Sequence, residues 1–331
     1  MASGADVKEN MRRVALLYNP CSGQHPERRI AIIAEVTAVL RGAGVEVEAF
    51  ATESSEMAGV RALEAARNGC DTILACGGDG TVHAAMQSLV GETAALGVIP
   101  MGTANALASD LGLPRSPVKA VKMLLTAQPV QVPVGRVFYR DQAGAPQSCY
   151  FIVAAGVGAD ALFMSRLDSK LKQRFGYALY IVEAFKLWAT HKFPMFAATF
   201  WENGNDEPRT EEVSQLLVVR ISNFGGVLHN LAPGASLSNN QLRVIAFKTR
   251  SRLRYMKFLS AVLFKRHTFG RAVELVKTPR VECHDLEGSK ERLYVEADGD
   301  LLGTLPVKIE VVQEALNLLI PAKTLSRMAR R

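Results

Sequence analysis

Cys76-Gly77-Gly78-Asp79-Gly80-Thr81-Val82 stands between a strand and a helix. Ahead of it runs Thr72-Ile73-Leu74-Ala75-Cys76, a short apolar stretch with no helical period. Behind it Val82, Ala85, Met86 and Leu89 recur at three- and four-residue steps, which predicts a helix from Thr81 to Leu89. Glycines let backbone N–H groups come close to a ligand, and a helix N-terminus offers an anion unsatisfied donors and the positive end of a dipole. A carboxylate there repels phosphate unless a divalent cation lies between them. The segment therefore reads as a phosphate site with a metal-associated acid, Asp79, although an isolated Gly-Gly-Asp-Gly also suits a tight turn.

Two more strand ends carry loops of the same chemistry. Leu96-Gly97-Val98-Ile99-Pro100 leads into Met101-Gly102-Thr103-Ala104-Asn105, and Val14-Ala15-Leu16-Leu17-Tyr18 leads into Asn19-Pro20-Cys21-Ser22-Gly23. Helical patterns at 28–41, 57–68 and 118–126, the last opened by Ser116-Pro117, alternate with these strands and with another at 45–50. That rhythm predicts a doubly wound parallel sheet, in which the loops after the strands share one edge and line one crevice. After Pro129 the character changes. Strand candidates follow at 130–138, 197–201, 215–221, 242–247, 273–276, 292–297, 307–312 and 316–321, with turns such as Glu202-Asn203-Gly204-Asn205 between them. The expected class is thus α/β: an N-terminal doubly wound domain over 10–129, then an antiparallel β-rich sandwich or barrel over 130–320.

The chain has 331 residues, enough for two domains with cores of their own. A net charge of +7 favours an anionic partner, a description that fits ATP, acidic phospholipid and nucleic acid alike. No RNA- or DNA-binding module is visible, which sets nucleic acid aside. The five cysteines, Cys21, Cys70, Cys76, Cys149 and Cys283, form no C-x-x-C pair and suit the reduced thiols of a cytoplasmic protein. Cys283-His284-Asp285 invites a nucleophile reading, but neighbours on a strand point to opposite faces. Residues Met1 to Arg13 are polar and are not expected to form a secretory signal. The apolar run from Tyr177 to Ala189 is interrupted by Glu183 and Lys186 and falls short of the ~20 residues that span a bilayer. Any membrane is expected to be met from the side.

The three loops, in their order, resemble the catalytic domain of diacylglycerol and sphingoid-base kinases, and the compact bacterial lipid kinases in particular. Ala155-Gly156-Val157-Gly158-Ala159-Asp160-Ala161, Phe175-Gly176-Tyr177-Ala178-Leu179-Tyr180 and Ala297-Asp298-Gly299-Asp300 fall where that family has similar segments, so the likeness extends over most of the chain. The resemblance implies a nucleotide-binding α/β domain, completed by residues 321–331, beside a β-rich lipid domain, with ATP and a lipid meeting in the cleft. It implies that Asn19, Ser22, Thr52, Gly80, Thr81 and Thr103 contact ATP or its phosphates, alongside Gly77, Gly78, Gly102 and Asn105 of the glycine loops. No G-x-x-x-x-G-K-[ST] motif is present, so charge neutralisation is expected to fall to Mg²⁺ and backbone N–H groups.

The chain departs from its family in two places. Where the family usually reads Asp-Gly-Glu, this chain has Asp298-Gly299-Asp300. The resemblance makes Asp300 the base for the acceptor hydroxyl and Asp298 its structural or metal-linked partner, with Asp79 the third catalytic carboxylate. Losing one methylene retracts the acid by more than ~1 Å, and an Asp-Gly pair is also a hairpin signal. In Pro233-Gly234-Ala235-Ser236-Leu237-Ser238-Asn239-Asn240-Gln241-Leu242, Asn239 stands where bacterial relatives carry an aspartate of a structural Mg²⁺ site. An amide oxygen ligates a hard cation more weakly than a carboxylate does.

Two further segments carry competing readings. Tyr150 to Ala161 spells strand, G-x-G-x-x-A, helix, the dinucleotide fingerprint. The acid due ~20 residues later is missing, and Arg166, Lys170, Lys172 and Arg174 follow instead. From Arg250 to His267, apolar residues (Leu253, Tyr255, Met256, Leu259, Val262, Leu263) mix with Arg252, Arg254, Lys257, Lys265 and Arg266. This suits an acidic membrane surface, or an ordinary helix with a solvated basic face, and helix 163–174 poses the same choice. The expected activity is ATP- and Mg²⁺-dependent phosphorylation of a hydroxyl on a diacylglycerol-like membrane lipid by a cytoplasmic protein peripheral to the inner face of the membrane. The alternatives are a sphingoid-base or ceramide kinase, an NAD kinase (which also carries Gly-Gly-Asp-Gly), and a non-catalytic nucleotide- or lipid-binding regulator.

Overall fold

The computed structural model describes residues 11–20, 26–141, 143–158, 161, 192–202, 207–225, 231–263, 269–289 and 291–329. The chain forms two compact units. One comprises Met1–Val134, Asn223–Gly225 and Gln313–Arg331, the other Gly135–Ser222 and Gly226–Val312.

In the first unit β1 (Arg13–Tyr18), α1 (Pro26–Gly42), β2 (Glu46–Ala51), α2 (Ser55–Arg67), β3 (Thr72–Gly77), α3 (Asp79–Leu89) and β4 (Ala95–Pro100) alternate, followed by α4 (Ala106–Asp110) and α5 (Pro117–Leu124). The strands lie parallel in the order β2-β1-β3-β4. Strands β3 and β4 are buried along their whole length, which is why they read as unbroken apolar runs rather than alternating ones. Helix α1 packs with α5 and α2 with α3. Helix α3 begins two residues earlier than its apolar period indicates. Its first turn holds Asp79 and Gly80, positions that need no apolar side chain and where an acid complements the helix dipole.

In the second unit the strand pairings described below are antiparallel. Strands β5 (Gln128–Arg140), which enters from the first unit, and β6 (Pro146–Phe151) form a hairpin. Strand β7 (Ala154–Val157) lies between β10 (Gln215–Val219) and β14 (Tyr294–Ala297), and β11 (Leu242–Phe247) and β12 (Val273–Thr278) extend the sheet beyond β10. Strand β13 (Arg280–Asp285) joins β15 (Asp300–Ile320) to β8 (Phe196–Trp201), and β8 to β9 (Arg209–Val213). Phe151, Phe196, Phe200, Val218, Val244, Val281 and Ile309 meet in its core. Helix α6 (Arg252–Leu263) sits on the unit through Tyr255, whose ring stacks on Phe247 with centroids 4.5 Å apart.

Residues 307–312 and 316–321 are expected as two strands, but 307–320 belong to the single strand β15 and Pro321 caps the helix after it. The polar Gln313-Glu314 reads as a break, and Glu314 does take a positive φ of 45°, but the ladder continues past the kink. Beyond it Leu318 pairs with Leu96 of β4 and the Gly91 N–H reaches Ala315 O at 2.9 Å, so the strand's end belongs to the first unit. Helix α7 (Ala322–Met328) follows, tied by the Thr324 hydroxyl to Leu111 O at 2.6 Å. Among the described residues no helix is long and apolar enough to cross a membrane.

Candidate active site

In the first unit Gly78 is the N-cap of α3 and has no side chain to close the helix end. The neighbouring loop presses directly on it: a Cβ on Gly102 would collide with Gly78 Cα and stand 2.9 Å from Asn105 Oδ1. Only glycine permits this approach, which lays two stretches of bare backbone side by side. Asn105 holds the second loop in shape from a left-handed conformation (φ 51°). Its Oδ1 accepts the Gly102 N–H at 2.8 Å and its Nδ2 donates to Gly102 O at 2.7 Å.

Asp79 joins the two loops. Its Oδ2 accepts the Asn105 N–H at 2.9 Å and its Oδ1 the Ala106 N–H at 2.7 Å, so the acid at the start of α3 also caps the start of α4. One carboxylate together with phosphate oxygens is a common Mg²⁺ environment, so Asp79 fits a cation that arrives with a nucleotide.

The other residues named for nucleotide contact are placed as follows. Thr81 lies in the first turn of α3, against Gly77, where any Cβ would strike its side chain. Thr103 is exposed at the tip of the second loop. Asn19 follows β1 and donates to Glu53 O at 3.4 Å. Thr52 is only 1% exposed, and its hydroxyl and N–H both go to Tyr18 O, so it shapes the loop after β2 from beneath. Ser22 lies outside the described residues, as do helix 163–174, Phe175 to Tyr180 and the run from Tyr177 to Ala189.

In the second unit Asp298-Gly299 forms the two-residue turn between β14 and β15, with Ala297 paired to Asp300. Both turn residues have positive φ, 49° and 92°, as a tight hairpin with the twist of its strands requires. Asp298 is a structural acid: its carboxylate accepts the N–H groups of Ile152, Val153 and Ala154 at 2.9–3.0 Å, and its own N–H goes to Ala154 O at 2.8 Å. Glu296, buried and missed by the sequence reading, accepts the Gly299 N–H at 2.9 Å. The crowding of three acids in Glu296-Ala297-Asp298-Gly299-Asp300 was the available signal. Of the three acids Glu296 is buried, Asp298 half-buried and Asp300 exposed on this anchored turn.

The segment around Asn239 does not fit an auxiliary Mg²⁺. A buried guanidinium stands among its carbonyls: Arg220 Nη1 donates to Asn239 O at 2.8 Å and Gln241 O at 3.2 Å, and Nη2 to Leu237 O at 3.3 Å. Burial pushes the pKa of Arg220 down to about 10. The Asn239 side chain donates to Gly234 O at 2.7 Å. The dinucleotide reading of Tyr150 to Ala161 fails on topology, because both neighbours of β7 are antiparallel, whereas the fingerprint needs a parallel neighbour. Cys283 is fully buried within β13, where burial raises its pKa, and His284 and Asp285, the last residues of that strand, are exposed.

Residues 13–137 match the diacylglycerol kinase catalytic domain, and residues 152–320 match the YegS C-terminal NAD kinase beta sandwich-like domain. A diacylglycerol kinase of Bacillus subtilis (strain 168) is 26% identical over 314 residues, covering 94% of this chain and 97% of the relative. One of Mycobacterium tuberculosis (strain ATCC 25618 / H37Rv) is 28% identical over 332 residues, covering 97% and 99%. The crystal structure of a diacylglycerol kinase from Bacillus anthracis str. Sterne shares the fold with a TM-score of 0.66 at 18% identity, covering 95% of this chain and 98% of its own. The chain belongs to the diacylglycerol kinase family. By class it is a lipid kinase, and its family implies the use of ATP, a divalent metal and a lipid substrate.

Proposed function

We propose that this kinase transfers the γ-phosphate of ATP to a hydroxyl of a diacylglycerol-like membrane lipid. The observation that carries the reading is the uncapped glycine start of α3 with Gly102 pressed against it, a backbone cradle suited to phosphate. The acceptor is suggested by the names of the relatives. In this reading residues 10–129, with 321–331, form the ATP-binding domain, and residues 130–320 the lipid domain. Asn19, Ser22, Thr52, Gly77, Gly78, Gly80, Thr81, Gly102, Thr103 and Asn105 surround the nucleotide, either touching it or shaping the loops that do. Asp79 would hold Mg²⁺, which when bound neutralises charge on the phosphate chain. Asp300 accepts the proton of the lipid hydroxyl as its oxygen attacks the γ-phosphorus and ADP leaves. Asp298 positions Asp300 by fixing the turn.

The protein is proposed to work in the cytoplasm, at the inner face of the membrane. Helix α6 supports this. Tyr255, Phe258 and Val262 are buried, whereas Leu253, Met256 and Leu259 are 79%, 39% and 45% exposed beside Arg252, Arg254 and Lys257. An exposed apolar row among basic residues suits an anionic bilayer.

Incubation with labelled ATP and a total lipid extract tests the reading, and labelled phosphatidic acid is the expected product. Labelled ceramide or sphingoid-base phosphate would change the acceptor. Label passing to NAD instead, or to nothing, would replace the reading with one of its rivals.

A further inference from the structure

Three backbone carbonyls of the segment that leads into β11 converge on one side chain. Leu237 O, Asn239 O and Gln241 O, at alternate positions, all accept from the guanidinium of Arg220, which is 1% exposed. Burying a charge is costly unless it is well compensated, and these three partners are neutral dipoles rather than carboxylates. Backbone carbonyls are also ordinary ligands for a hard divalent cation. Burial lowers the guanidinium pKa only to about 10, so the group carries its charge at neutral pH. Asn239 suits a segment organised by such a charge. Its Nδ2 donates to Gly234 O at 2.7 Å, a bond that an aspartate cannot make, and its N–H goes to Ser236 O at 3.0 Å.

The backbone of Arg220 leads to the turn that carries Asp300. Strand β10 pairs with β7 as far as Val219 and Ala154, and the Arg220 N–H adds a bond to Val153 O at 2.9 Å. The Val153 N–H in turn donates to Asp298 Oδ1 at 2.9 Å. Two hydrogen bonds therefore connect the residue that bears the guanidinium to the acid that fixes the turn.

We propose that Arg220 is the permanent internal cation of this segment, standing where an auxiliary divalent ion would otherwise be held, and that it is a positioning residue for the Asp298–Asp300 turn. An ion bound there would need the carbonyl oxygens that the guanidinium already uses, and would be repelled by its charge. The β-rich unit then keeps its shape when divalent metal is removed. The positioning role rests on the kinase reading; the cation role does not.

Melting of the full chain without nucleotide, in chelator and in millimolar Mg²⁺, tests the cation role. The parent should melt at the same temperature in both. Arg220→Met keeps the length of the side chain without its charge and should melt about 10 °C lower, with Arg220→Lys between the two. Arg220→Ala combined with Asn239→Asp frees the carbonyls and adds a carboxylate, so its melting temperature should rise with Mg²⁺. A parent that loses stability in chelator, an Arg220→Lys no better than Arg220→Met, or a double variant that gains no more from Mg²⁺ than the parent overturns the proposal. Should Arg220→Met fail to fold, the parent in chelator and the double variant in Mg²⁺ decide by the same outcomes.

Lipid phosphorylation, measured below the melting temperatures of the variants, tests the positioning role. In Arg220→Met kcat should fall by about tenfold at the parent's KM for ATP, with partial recovery in Arg220→Lys. A folded Arg220→Met with the parent's kcat overturns that role. If the melting pattern holds while the parent phosphorylates no lipid, the kinase reading falls and the positioning role with it, and the cation role stands.

Discussion

Asp298 and Asp300 are two residues apart and do different work. Asp298 gives its carboxylate to three backbone N–H groups and Asp300 stands exposed beside it. Hydrogen bonds to a charged group contribute about 1.5–3 kcal/mol each, so Asp298→Ala should lower the melting temperature and activity together. Asp300→Asn should lower kcat by ~10²–10⁴-fold at nearly constant KM for ATP, the range for loss of a positioned base. Asp300→Glu should keep activity. Thermal melts and steady-state kinetics on the same preparations check both. An Asp300→Asn enzyme as fast as the parent, with chemistry rate-limiting, would remove Asp300 from the mechanism. The sequence shows two acids at this turn but not which one the backbone consumes, because the donors belong to residues about 145 positions earlier.

Among the elements, the two glycine loops work as one. Gly102→Val would drive a side chain into Gly78 Cα and part the loops, so ATP affinity should fall steeply, as binding measurements would show. Unchanged affinity would place the nucleotide elsewhere. Helix α6 makes the complementary prediction. Each basic residue near an anionic surface is worth about 1 kcal/mol, so changing Arg252, Arg254 and Lys257 together to Gln should weaken binding to anionic vesicles by roughly two orders of magnitude. Binding of the parent should also fall as salt rises. If the triple variant sediments with vesicles like the parent, α6 faces no bilayer. The periodicity of α6 offers a broad apolar face, and packing divides it. The rings of Tyr255 and Phe258 turn inward against Phe247, which leaves Leu253 and Met256 outside.

At the scale of the whole molecule, a charge network in the β-rich unit sets a response to acid. Arg209 and Lys248 bridge Glu211 and Glu274, with Lys248 Nζ 2.9 Å and 2.6 Å from the two carboxylates. The hydrogen bond from Lys248 is the main cause that holds Glu211 below its ordinary pKa of 4.5. In Glu274 burial pushes upward, but Lys248 and Arg209 together prevail and the value is again lowered. The unfolded chain therefore takes up these protons at a higher pH than the folded one does. The stabilisation is complete well above pH 4.5 and is lost as pH falls through the lower folded values. Melting temperature should drop as pH is lowered from about 5 toward 3, and Glu274→Gln should flatten that slope. A variant with the parent's slope would show that other groups govern acid unfolding.

Local signals determined the parallel half. Buried parallel strands such as β3 and β4 must be apolar along their length, helices between them must be amphipathic, and a bare helix start beside a ligand must be glycine. Those demands leave their mark within a few residues of each loop, so the three loops and the family they resemble are readable without coordinates. Strand β9, Arg-Thr-Glu-Glu-Val, shows where such signals end. It is a strand because Phe196–Phe200 pairs with it and because Arg209 finds Glu274, a partner 65 residues on that no window of sequence contains. The same holds for Asp79 capping a helix 27 residues on, for Asp298 anchoring a turn to β7, and for Arg220 standing among the carbonyls of the Asn239 segment. Hydrogen-bond partners across the fold decide what a buried polar group does, and they are fixed only when the chain has packed.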